Sequence, residues 1–196
     1  MDTLIIFIKN PKLGKVKTRL AATVGDEKAL SIYKKLLDFT RKLAISLPLE
    51  RMLFYSDDVI TDDNWLPVFF QKNKQHGDDL GERMKNAFEK VLLTSKKAVI
   101  IGSDCAELTK EIVKNAFDVL EKNDFVLGAA EDGGYYLIGM NYFEASVFEN
   151  IEWSTDEVLS KTVEKINDLG KKVAFLPTLS DTDTEEDWKK IKHLLT

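Results

Sequence analysis

Lys9, Lys12, Lys15, Lys17 and Arg19 crowd around one proline, Pro11, and one glycine, Gly14, in the stretch KNPKLGKVKTRL. Ammonium and guanidinium groups beside free backbone N–H groups can neutralise phosphate oxygens. The stretch fails the GxxxxGK[ST] pattern, because Gly14 stands alone and no Lys–Ser/Thr pair follows in register. It is not GxGxxG either. Read alone, it serves equally well as a phosphate loop or as a solvated cationic turn.

Carboxylates form the second chemical group. Asp104 in IIGSDCAEL directly follows an apolar run, a position that suits a ligand to a hard divalent ion shared with phosphate oxygens. It could equally accept hydrogen bonds from neighbouring amides. LSDTDTEED carries Asp181 and Asp183 at alternating positions, with Asp183 or Thr184 also able to cap a helix. The EF-hand pattern is excluded there by the missing glycine and glutamate register. Asp132 precedes Gly133 and Gly134 in AEDGGYYLIG, a pair that permits a tight hairpin or close backbone approach to a ligand. Asp78 and Asp79 open GDDLGERM, where carboxylates favour a helix start. His76 and His193 are too scattered for a histidine metal site, and Cys105 has no evident activating base.

The elements that must position these residues alternate between apolar runs and amphipathic stretches. Strands are expected at 3–8, 51–56, 68–71, 98–102, 125–130, 135–140 and 173–177, several of them continuously apolar as in a sheet buried on both faces. Helices are expected in GDEKALSIYKKLLDFTRKLAISL, LGERMKNAFEKVLL, TKEIVKNAFDVLEK, STDEVLSKTVEKINDL and EEDWKKIKHLL. Thr109 and Ser154 read as N-caps, Ser154 with Glu157 as a capping box, and Gly170 as a C-cap. The pattern implies a three-layer αβα sandwich around a mostly parallel mixed sheet, in one domain over 1–196. FVLGAAEDGGYYLIGM reads as an antiparallel pair within it. Ligands of such sheets bind outside the carboxyl ends of the strands. The basic loop and the three acidic segments come directly after strands, so one basic and three acidic loops should meet at that edge.

Composition narrows the class of partner. The chain has 196 residues, 44% hydrophobic and 31% charged, with a formal net charge of −5. That balance disfavours nucleic-acid binding by bulk electrostatics. A single cysteine permits no internal disulfide and fits a reducing compartment. The first apolar run stops at Lys9, short of a membrane span, and lacks the marks of a signal peptide, so a cytoplasmic location is expected. Oligomeric state is left open.

Taken in order, FIKNPKLGKVKTRLA, GDDLGERM, IIGSDCAEL, GAAEDGGYYLIG, WSTDEVL and SDTDTEED resemble the motif set of a bacterial glycosyltransferase or nucleotidyltransferase family. That family belongs to the nucleotide-diphospho-sugar transferase superfamily, with the GT-A fold. It is similar, more distantly, to phospholactate and molybdenum-cofactor guanylyltransferases. The resemblance runs from about residue 3 to 190. It implies a nucleotide or nucleotide-sugar donor, a small-molecule acceptor and Mg²⁺ or Mn²⁺ as cofactor. Asp104, Lys17 and Asp132 become the implied catalytic residues, and Lys9, Gly14, Lys17 and Arg19 the implied phosphate-binding set. Asp132, Gly133, Gly134, Trp153, Ser154 and Thr155 would line the acceptor side, with Asp104 and Asp183 on the metal. Two departures stand out. Ala106 occupies a position where relatives usually have proline, and Asp104-Cys105-Ala106 replaces the Asp-x-Asp pair of many glycosyltransferases. The second departure leaves room for nucleotidyl transfer.

Overall fold

A computed structural model describes residues 1–195. The run DTLIIFI forms strand β1 (Asp2–Ile8), with Leu4, Ile5 and Ile6 wholly buried. No face of this strand is polar, because helices cover both sides of the sheet. Six more strands join it: β2 (Glu50–Tyr55), β3 (Gln71–Lys74), β4 (Lys97–Ile101), β5 (Phe125–Ala130), β6 (Tyr135–Met140) and β7 (Val173–Leu179). Their order is β3-β2-β1-β4-β6-β5-β7. Strand β6 alone runs against its neighbours, pairing antiparallel with both β4 and β5, whereas the other pairings are parallel. The turn between β5 and β6 therefore lies at the same edge as the carboxyl ends of β1, β4 and β7.

Helices α1 (Thr18–Val24), α2 (Asp26–Ile45), α3 (Leu80–Leu92), α4 (Lys110–Val119), α5 (Val158–Asp168) and α6 (Glu185–Ile191) complete the layers. Tyr33 and Leu37 of α2 and Val113 and Phe117 of α4 pack on one face of the sheet. Met84 and Phe88 of α3 and Ile166 of α5 pack on the other. A smaller cluster joins Leu20, Ile32, Leu36 and Ile191 across α1, α2 and α6. The fold is thus the expected αβα sandwich with a mostly parallel mixed sheet.

Thr109 caps α4 by accepting from Ile112 N, and Thr184 caps α6 in a reciprocal capping box with Asp187. After α5, Gly170 takes φ 65°, and the bonds Gly170 N to Asn167 O and Lys171 N to Ile166 O close its last turn.

Two local expectations fail. The expected strand at 68–71 is mostly a turn: Phe69 N and Phe70 N both bond Leu66 O, and pairing begins only at Gln71. Only Phe70 of its apolar residues is buried, edge-to-face against Trp65, while Val68 and Phe69 are exposed. Ser154 does not cap α5. It sits at φ 69°, four residues before the helix starts, and Leu159 N donates to Gly133 O. A hairpin carbonyl satisfies the helix start where a serine hydroxyl was expected.

Candidate functional site

The basic loop leaves β1 and turns back at Gly14, φ 69°. Its last residue before α1 is Lys17, which adopts the left-handed conformation at φ 50° and ψ 46° without a side-chain cap. An L-residue held there carries backbone strain of about 1–2 kcal/mol. The strain coincides with a buried charge, since the Lys17 side chain is only 4% exposed. Its Nζ lies 2.9 Å from Asp104 Oδ1 and 3.2 Å from Asp183 Oδ1. Burial alone would lower the Lys17 pKa, but the two carboxylates, Asp104 ahead of Asp183, outweigh it and raise the value.

Backbone and side-chain bonds stitch the acidic loops around this ammonium. Thr182 N donates to Asp104 O at 3.0 Å. Ser180 N donates to Glu107 Oε2, and Ser180 Oγ donates to Glu131 Oε2. The loops after β4, β5 and β7 are thereby one assembly. The loop after β1 is fixed by Tyr33, whose hydroxyl accepts from Lys9 N at 2.9 Å, donates to Lys9 O at 3.0 Å and lies 3.3 Å from Ser103 Oγ. Burial first, then the charge of Asp104, pushes the Tyr33 pKa up, so the phenol stays neutral as a structural latch.

Asp181 enters the same cluster. Burial, and then the neighbouring Asp104 carboxylate, push its pKa up to about 7, with Lys17 opposing the rise. Cys105 is buried and its thiol pushed up to about 12, chiefly by burial, which leaves no thiolate nucleophile near neutral pH.

These residues line a cavity of about 850 Å³ at the carboxyl edge of the sheet. Lys9, Lys15, Lys17 and Arg19 are on its wall, as are Asp104, Asp132, Asp181 and Asp183. Arg19 is 75% exposed, 3.6 Å from Asp183 Oδ2. Gly134, Trp153, Ser154 and Thr155 line it as well. Two residues named from the sequence stand back from the wall. Gly14 faces Asp26, and Gly133 packs so closely on Asp156 that a Cβ would lie 2.2 Å from its carbonyl oxygen. Lys12 pairs with Asp57 on the surface, 2.9 Å away, whereas Lys15 lines the cavity.

Sequence reading missed Tyr33 and gave Asp181 no role. The alternating acidic pattern of LSDTD contained the signal for Asp181. Tyr33 had none, because a buried tyrosine on a helix stripe looks like any core residue.

The donors bear on whether a divalent ion fits. Asp104 Oδ1 is shielded from solvent and meets only the Lys17 ammonium, 2.9 Å away, and oxygen ligands of this kind suit Mg²⁺ or Mn²⁺. Among the described residues no three acidic, histidine or cysteine side chains are grouped to hold a metal by themselves. The donor set therefore fits an ion that takes its remaining ligands from phosphate oxygens and water, as Mg²⁺ commonly does.

The family model described as "Uncharacterized protein conserved in bacteria (DUF2064)" matches residues 39–155. The chain belongs to the DUF2064 family. A solved structure from Desulfovibrio desulfuricans G20, described as a "putative nucleotide-diphospho-sugar transferase", is 29% identical with a TM-score of 0.87, covering 99% of this chain and 96% of that one. The inositol-1-phosphate CTP transferase of T. maritima is 16% identical, TM-score 0.62, with 100% and 95% covered. The 4-diphosphocytidyl-2C-methyl-D-erythritol synthase of Anaerococcus prevotii DSM 20548 is 12% identical, TM-score 0.62, with 100% and 96% covered. The last two similarities speak to the fold alone. No curated protein matches the chain. No helix among the described residues is long and apolar enough to cross a membrane.

Proposed function

We propose that this protein is a metal-dependent transferase using a nucleoside diphosphate-sugar or a nucleoside triphosphate as donor, with glycosyl transfer the first reading. The observation that carries it is the buried Lys17 ammonium between Asp104 and Asp183, at the carboxyl edge of a sheet with this fold. The first structural neighbour bears a nucleotide-sugar transferase description, which supports the same class.

In this reading the donor phosphates take up Lys17 and Arg19, and the loop amides complete the cradle. Asp104 and Asp183 would hold Mg²⁺ or Mn²⁺, which would offset the charge that grows on the departing phosphate. Lys17 stabilises that same charge from the loop side. Trp153 and the residues near it, with Asp132 and Gly134, form the acceptor end. No side-chain nucleophile is needed, since the work is positioning and charge stabilisation.

Nucleotidyl transfer is the second reading, favoured by one feature: Asp104-Cys105-Ala106 lacks the Asp-x-Asp pair of many glycosyltransferases. Calorimetric titration of nucleotides and nucleotide sugars, with and without Mn²⁺ or Mg²⁺, tests both. Binding that depends on the metal and on Asp104 is the expected result, with Asp104→Ala folded but inactive. If no nucleotide binds under any of these conditions, the phosphate site is wrong. Binding without donor consumption across a broad acceptor panel points to a non-catalytic nucleotide-binding protein.

A further inference from the structure

The cavity is unevenly charged. The donor end sets Lys9, Lys15, Lys17 and Arg19 against Asp104, Asp181 and Asp183, whereas the end beside Trp153 carries Asp78, Asp79, Asp132 and Asp156 with a single cation, Arg83. From this partition we infer that the acceptor is an uncharged, hydroxyl-rich molecule, of the polyol or sugar class, and not a phosphorylated one. The inference rests on the proposed function, because it assigns the second substrate of that reaction.

The groups at this end are built to be used. Trp153 forms a wall whose ring lies against Gly81, where a Cβ would come within 2.3 Å of the indole. Only glycine at that position of α3 lets the indole pack so closely. An aromatic wall suits the C–H faces of a cyclic polyol and makes no demand on charge. Asp79 caps α3 by accepting from Glu82 N, and Asp132 accepts from Gly134 N, so each retains oxygens for a ligand. The Asp78 and Asp156 carboxylates accept nothing from the described residues, and Arg83 donates through Nε to Gly77 O while pairing with no carboxylate.

Three kinds of acceptor can be weighed against those groups. A phosphate dianion would meet several carboxylates for each cation, beside a donor that already brings its own phosphates. An apolar acceptor would leave carboxylates and a guanidinium desolvated without partners. Hydroxyl groups satisfy both signs, donating to the aspartates and accepting from Arg83.

The test uses matched pairs: myo-inositol and its 1-phosphate, glycerol and its 3-phosphate, glucose and its 6-phosphate. Each is titrated into the full chain with and without saturating nucleotide and Mn²⁺. The readout is the fluorescence of Trp153, isolated by subtracting Trp153→Phe. In at least one pair the free hydroxyl compound should saturate the signal at a concentration at least tenfold below its phosphate. Asp78→Asn combined with Asp156→Asn should narrow that ratio about threefold or more with an unchanged melting temperature. Tighter binding of the phosphorylated members, or no response to any free hydroxyl compound, overturns the inference. A protein that binds nucleotide yet prefers phosphorylated partners keeps the proposed function and loses only this acceptor. One that responds to polyols but binds no nucleotide loses the proposed function instead.

Discussion

Lys17 Nζ lies 2.9 Å from Asp104 Oδ1, joining the loop after β1 to the loop after β4 through a buried charge. An ammonium so placed has no water to lean on and depends on its carboxylates. Incoming phosphates would share it, and their loss should be measurable. Lys17→Met is expected to weaken nucleotide binding at least tenfold, the scale of one lost charge-assisted hydrogen bond of about 1.5–3 kcal/mol. Lys12→Ala should leave affinity unchanged, because Lys12 pairs with Asp57 on the surface outside the cavity wall. Calorimetry on both variants decides between loop-wide attraction and a specific role for Lys17.

Asp181 gives a pH prediction. Its folded pKa stands near 7 against an ordinary 3.8, raised first by burial and then by Asp104. The folded state thus holds a proton that the unfolded state releases between those values. Stability falls as pH rises from about 4 to about 7, and the loss is complete above the folded pKa. Asp181→Asn removes the liability, so in chelator it should gain on the parent protein across that window, reaching about 1–3 kcal/mol after allowance for partial exposure. Urea melts at pH 5 and pH 8 check the sign. Equal differences at the two values would show that Asp181 titrates normally.

Gly81→Ala tests the Trp153 wall. The new methyl would sit 2.3 Å from the indole, so the ring or the first turn of α3 must move. Overpacking of this kind costs about 1–3 kcal/mol, a fall of several degrees in Tm for a chain this long. Adding Trp153→Ala should recover part of that loss, because the clash disappears with the ring. Differential scanning calorimetry of both single variants and the double one measures the coupling.

Tyr33→Phe keeps the ring and removes the latch. Lys9 N then loses its partner and Lys9 O its donor, at a cost of about 1–3 kcal/mol. Nucleotide affinity should fall severalfold as the loop loosens, while hydrogen exchange speeds at Lys9, just past β1, before it does in the strand itself. Unaltered exchange at Lys9 would mean that the strand end holds itself.

The sequence revealed the layers because their causes are local. TLIIFI and AVIIG are apolar throughout and the helices carry regular stripes, so periodicity announces a sheet covered on both faces. The carboxyl edge was legible for a related reason: ligands of such a sheet reach it at the strand ends, and the residues just past each strand can be read directly. The failures were tertiary. Nothing near Ser154 says that Gly133 O, at a distant hairpin, will receive the Leu159 amide at the start of α5. Nothing in VFFQ says that Trp65 claims Phe70 as a packing partner. The ion pairs of Lys17 could not be read either, since Asp183 lies 166 residues away along the chain.

That separation governs when the site can exist. During synthesis the phosphate loop emerges early, and at roughly 5–20 residues per second the segment bearing Asp183 arrives many seconds later. Until then Lys17 lacks one of its two countercharges, and the edge of the sheet lacks β7. A nascent chain halted before residue 183 can fold its first strands yet cannot assemble the cluster around the ammonium. Nucleotide binding should therefore switch on late and abruptly, once the segment bearing Asp183 is free to pack, making the ligand a reporter of finished folding.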